Sequence, residues 1–137
     1  MSSENILIVE DDAVVTQILT TQLKERGYAV STATDAAEAI RATVTQKPDL
    51  VILDLTLFND IATNGLRDGF GVLNWLRRTL PEAQFPVIVH TVDGSVQLNE
   101  RLRSYGICAV IRKGSSFKDL LAVVRSTLDE QGGRLVA

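Results

Sequence analysis

The chain carries a single cysteine, Cys108, so no internal disulfide can form, and this cysteine usage fits a reducing compartment. It contains no apolar run near the ~20 residues that a helical membrane span requires. The opening residues Met1-Ser2-Ser3-Glu4 show neither a basic segment nor a long apolar one, so no secretory leader is read there and a cytoplasmic location is expected. An excess of positive charge is also lacking. The net charge is −3, which leaves no basic footprint for a nucleic acid, and no direct nucleic-acid contact is expected. Internal repeats and low-complexity segments are absent from the sequence. What remains is 137 residues, 45% hydrophobic and 23% charged, the profile of one compact domain over 1–137 with a full core.

Short apolar runs alternate with segments of helical periodicity. A strand is read over 5–10, then a helix over 13–26 with Val15, Ile18, Leu19, Gln22 and Leu23 on one face and Gly27 as its stop. A second, less apolar strand follows over 28–32. Asp35 and Glu38 have capping-box spacing and open a helix to about Gln46, which Lys47-Pro48-Asp49 breaks. The third strand runs from Leu50 to Asp54. After a long loop, a third helix turns Phe70, Leu73 and Leu76 inward. A strand over 86–91, a weaker helix over 95–105, a short strand over 108–112 and a last helix capped by Ser115 or Ser116 complete the pattern. Five strand–helix units of this kind predict an α/β fold, a doubly wound parallel sheet with helices on both faces. The core is expected over 4–130, with 131–137 as a frayed tail.

Parallel strands point their carboxyl ends one way, so Glu10, Asp11, Asp54, Thr91 and Lys113 should gather on one rim of the sheet. Acids at two strand ends suggest a metal site, a nucleophile, or both. Clustered carboxylates repel unless a cation joins them, and oxygen ligands favour Mg²⁺. A metal and an ammonium group together suit a phosphoryl group, and a carboxylate can itself accept one. Each residue also has a plainer reading. Asp54 alone could be a loop acid, Glu10-Asp11-Asp12 a solvated charge run, Thr91 a strand end and Lys113 a surface lysine; their common register promotes them. His90, the only histidine, faces the other side of its strand from Thr91 and reads as a structural residue. Cys108 reads as a small core residue, Trp75 is no evidence of a cofactor, and Gly69-Phe70-Gly71 is too little for a dinucleotide fingerprint.

Ile8-Val9-Glu10-Asp11-Asp12, Asp54 after a buried strand, Thr91 and Lys113 resemble the receiver domain of two-component response regulators, over about 4–130. The resemblance implies a flavodoxin-like five-stranded topology. It implies that Asp54 accepts phosphate from a histidine kinase or phosphotransfer protein. Asp11 and Asp54 would bind Mg²⁺ directly, Glu10 through water, and the main-chain carbonyl of Thr56 would add a ligand. Thr91 and Lys113 would bind the phosphoryl oxygens, while Asp12 need only cap the first helix. The chain would then be a stand-alone switch rather than an enzyme, catalysing only its own phosphotransfer and dephosphorylation. It would act on a separate downstream protein, with no membrane partner, through a surface over about 96–128. A phosphorylation-dependent dimer also fits the resemblance.

Departures from the family pattern lie around the acceptor. The stretch 58–67 is longer than usual and reads either as a tolerated insertion or as a partner-specific lid. Phe58 and Gly114 stand where the family usually has proline, and Val110 stands at its aromatic switch position. Val92 is bulkier than the usual small residue after Thr91, which predicts restricted access to the site. Two other functions are weighed. A phosphate-independent pseudo-receiver would suit Gly114 and Val110 but not the intact acid set. A phosphohydrolase of the haloacid-dehalogenase type would need an acid where Thr56 stands. A flavodoxin-like electron carrier ranks last, for want of a phosphate loop after the first strand.

Overall fold

The structure is a computed structural model that describes residues 4–55, 73–75, 77, 78, 86–92, 100, 102, 107, 109–114 and 116–136, the last six of these by backbone alone. Its elements are β1 (Asn5–Val9), α1 (Ala13–Glu25), β2 (Ala29–Ala33), α2 (Ala36–Gln46), β3 (Leu50–Leu53), β4 (Val87–Thr91), β5 (Ala109–Arg112) and α3 (Phe117–Val136). Residues 73–75, 77, 78, 100 and 102 are also helical, where the third and fourth helices are expected. All strands are parallel, in the order β2-β1-β3-β4-β5. This is the flavodoxin-like order, with its switch point between β1 and β3.

The three central strands are apolar on both faces because helices cover both. Leu7, Val9, Val51, Leu53, Val87 and Val89 face one layer, with Ala36 and Ala39 of α2, Leu73 and Leu102. Ile6, Ile8, Leu50, Ile52 and Ile88 face the other, with Leu19 and Leu23 of α1 and Leu120, Leu121, Val124 and Leu128 of α3. The outer strands β2 and β5 are only partly buried, which is why their sequences are less apolar.

Helix ends account for the differences from the sequence reading. β2 begins one residue later than expected because the Tyr28 N–H is already used, donating to Leu23 O at 3.2 Å. Gly27, at φ 93°, donates to Lys24 O at 3.0 Å, so α1 ends in a Schellman motif with Tyr28 and Leu23 in the same apolar cluster. At α2, Asp35 accepts from the Glu38 N–H at 2.7 Å, while the Glu38 carboxylate reaches back to the Thr34 N–H at 2.8 Å rather than to Asp35 itself. Ser116 caps α3 through the Lys118 N–H at 3.1 Å. The backbone of α3 continues to Val136 and so takes in residues read as a tail. Phe58, Gly69, Cys108, Ser115 and the whole 58–67 stretch lie outside the described residues.

Candidate functional site

The peptide groups beyond β1 and β3 stay in register with their neighbours. Glu10 N–H donates to Ala33 O at 3.0 Å, and Asp54 N–H donates to Val9 O at 2.9 Å. These bonds hold Glu10 and Asp54 side by side at the carboxyl ends of β1 and β3, flanking the switch point. Both are buried, with 2% of their surface exposed, while Asp11 beside them is exposed. Carboxylate oxygens of Glu10, Asp11 and Asp54 lie within 4.8 Å of one another. Asp12 points elsewhere: its carboxylate accepts from the Val14 and Val15 N–H groups and caps α1.

Lys113 follows β5, and its backbone N–H donates to Thr91 O at 2.6 Å, which ties the lysine to the end of β4. Its ammonium lies 2.7 Å from Glu10 Oε1 and 3.0 Å from Asp54 Oδ2. The contact to Asp54 is a well-formed hydrogen bond. The contact to Glu10 is close enough for an ion pair but poorly directed, so Oε1 is buried without a good hydrogen-bond partner. Glu10 Oε2 accepts from the Asp12 N–H at 3.2 Å. Thr91, whose carbonyl holds the Lys113 N–H, is buried.

The electrostatics show too much negative charge for one ammonium. Burial pushes the Glu10 carboxyl up, Lys113 pulls it down, and neighbouring Asp54 pushes it up again, to about 7. Burial alone would depress Lys113, but its close contacts with the Glu10 and Asp54 carboxylates outweigh that and raise it. Three carboxylates against one lysine, with a poorly satisfied buried oxygen among them, form a donor set that a small divalent cation fits. A deeply buried carboxylate beside an ammonium is also suited to receive a phosphoryl group.

The sequence places Glu10, Asp11, Asp54, Thr91 and Lys113 on one rim, and the structure brings Glu10, Asp11, Asp54 and Lys113 into one cluster, with Thr91 bonded to the lysine backbone. Thr56 lies outside the described residues. Val110 packs against the α2-side core, and Val92 stands at the rim, 61% exposed. Gly114 adopts φ 98°, a conformation that the fixed ring of proline cannot reach. The direct Lys113–Glu10 pair was not legible in the spacing, since only the strand order shows which rim residues are neighbours. His90 is buried, as expected of a structural histidine, and its ring packs on Phe117 with centroids 6.3 Å apart.

Comparison with known proteins agrees with this geometry. The family model for the response regulator receiver domain matches residues 6–125. The ycf27 protein of Porphyridium aerugineum, described as a probable transcriptional regulator, is 34% identical over 128 residues, covering 93% of this chain and 49% of its own. RpaA of Synechocystis, described as a DNA-binding dual master transcriptional regulator, is 32% identical over 123 residues, covering 90% and 48%. The chain thus spans about half the length of these curated relatives. Among solved structures, a CheY-like response regulator receiver domain protein from Methanospirillum hungatei superposes with a TM-score of 0.83 at 26% identity. That match covers 97% of this chain and 99% of the other.

Proposed function

This chain belongs to the response regulator receiver family, and from that premise we propose that Asp54 is its phosphoacceptor, loaded by a histidine kinase or a phosphotransfer protein. The observation that carries the reading is the buried Asp54 carboxylate, held 3.0 Å from the Lys113 ammonium beside Glu10 and Asp11 at the switch point of the sheet. In the reaction an Asp54 oxygen attacks phosphorus. The bond from phosphorus to the donor's nitrogen or oxygen breaks, and the leaving group keeps the electron pair and takes a proton from solvent. The product is an acyl phosphate. Water later attacks the same phosphorus, releasing inorganic phosphate and restoring the carboxylate.

Lys113 neutralises the charge of the incoming phosphoryl oxygens, and the Thr91 hydroxyl donates to one of them. Burial of Asp54 keeps bulk water off the acyl phosphate. Glu10, Asp11, Asp54 and the main-chain carbonyl of Thr56 would hold Mg²⁺, which when bound neutralises the phosphoryl charge. Between the acids the lysine already supplies part of this neutralisation, which keeps the cluster stable before phosphate arrives.

We place the switch in the cytoplasm and its output in a protein contact made by the phosphorylated form. RpaA is named as DNA-binding, but this chain spans 48% of its length, and a net charge of −3 gives these residues no overall positive charge for a phosphate backbone. The test is labelling with a small acyl phosphate and Mg²⁺. A hydroxylamine-labile phosphate that Asp54→Asn abolishes is the expected result. A protein that takes no phosphate from the donor or from any kinase would be a phosphate-independent module instead.

A further inference from the structure

The route by which phosphate at Asp54 reaches the rest of this molecule needs a different carrier, because the family's aromatic switch position holds Val110. That side chain packs into the α2-side core and has no ring to swing. On the opposite face of the sheet, the structure offers another pair of rings.

His90 immediately precedes Thr91 on β4 and points to the layer that holds α1 and α3. It is 4% exposed, and its ring lies against Phe117 with centroids 6.3 Å apart and planes tilted by 58°. Its Nδ1 has no hydrogen-bond partner among the described residues. Phe117 is the first residue of α3. Two routes from Lys113, which is bonded to Asp54, therefore meet at this contact. One runs through Thr91, whose carbonyl accepts from the Lys113 N–H, to its strand neighbour His90. The other runs from Lys113, bonded to Asp54, through Gly114 at φ 98° and the capping residue Ser116 to Phe117.

We infer that the His90–Phe117 ring contact is the coupling element that reports phosphorylation of Asp54 to α3. The inference rests on Asp54 being the phosphoacceptor. A phosphoryl group gives Lys113 and Thr91 a new anionic partner, and any shift of either residue moves one ring relative to the other. A charge event at Asp54 that shifts the relative position of the two rings would thereby bias the seating of α3 on β4.

His90 is the only histidine, so its Hε1 proton gives one assignable resonance. The experiment treats the full chain with a small acyl phosphate and Mg²⁺, counts phosphoryl groups by intact mass, and follows His90 Hε1 and the amides of 117–128 by NMR. In wild type the His90 resonance and the α3 amides are expected to shift together, in proportion to the label. In Phe117→Leu and His90→Leu the label persists, while the α3 amide shifts fall by about half or more, the mark of a lost pairwise coupling. His90→Phe keeps a ring in place and keeps the shifts. Fully labelled leucine variants with unchanged α3 shifts would overturn the inference alone. An unlabelled wild type would overturn the phosphoacceptor reading and this inference with it.

Discussion

Glu10 and His90 titrate in opposite senses, and each leaves a mark on stability. The Glu10 carboxyl is raised from 4.5 to about 7 in the folded protein, so the folded form binds a proton that the unfolded chain has released. Its stabilising contribution is complete below pH 4.5 and is lost as pH rises to about 7. Burial, with the Lys113 charge, lowers His90 below the ordinary imidazole value of 6.5, and Asp54 only partly opposes this. The His90 contribution is therefore present above 6.5 and is lost as pH falls. Urea unfolding across this range, without divalent metal, should show Glu10→Gln removing the loss on the alkaline side. His90→Phe should remove the loss on the acid side. Mg²⁺ should flatten the Glu10 component in wild type, because a bound cation holds the carboxylate ionised. Equal pH profiles for wild type and Glu10→Gln would contradict the charge account of the cluster.

Gly114 is a second residue whose role is conformational. A Cβ there would meet nothing within 4 Å, so any cost of Gly114→Ala comes from the backbone at φ 98° alone. We expect a loss of roughly 1–2 kcal/mol in chemical denaturation. Gly114→Pro, which would match the family's usual residue, should cost more rather than restore anything, since proline is locked near φ −65°. A stabilised proline variant would mean that the loop is free to rearrange.

At the scale of the element, the start of α1 separates two neighbouring acids that the sequence presents as one run. Asp12 caps the helix through the Val14 N–H at 2.9 Å and the Val15 N–H at 3.3 Å, whereas Asp11 joins Glu10 and Asp54. Asp12→Ala should therefore lose about 1 kcal/mol of stability and keep its phosphoryl label. Asp11→Ala should keep its stability and lose the Mg²⁺-dependent label. Thermal unfolding and labelling of the two variants in parallel check this, and exchange of the two phenotypes would refute the assignment.

The central elements were legible in the sequence because burial on both faces leaves continuous apolar runs such as Leu50-Val51-Ile52-Leu53. The edge strand β2 was displaced by one residue because a Schellman turn consumes the Tyr28 N–H, a backbone event with no signature beyond Gly27. The extent of α3 was also hidden, because its backbone continues through Gln131-Gly132-Gly133, where glycine ordinarily signals a stop.

For the whole molecule, the strand order decides which rim residues meet. β1 lies between β2 and β3, so Glu10 and Asp54 become neighbours, and β4–β5 pairing carries Lys113 to them beside Thr91. The sequence shows five polar residues at strand ends. Only the topology makes a site of them, and only packing across the sheet brings His90 against Phe117. Core and cluster thus occupy different parts of one frame. The layers on either side hold the sheet, and the charged cluster sits at its carboxyl rim, next to the buried His90 at the end of β4.

The central claim is that this rim stores one phosphoryl group on Asp54 with the help of a divalent cation. The direct measurement is intact mass after exposure to a small acyl phosphate, with Mg²⁺ or with a chelator, followed by mapping of the modified residue. The account predicts one phosphoryl group per chain, located on Asp54, absent in the chelator and in Asp54→Asn. A label of equal size in Asp54→Asn, or one that ignores the chelator, would contradict it.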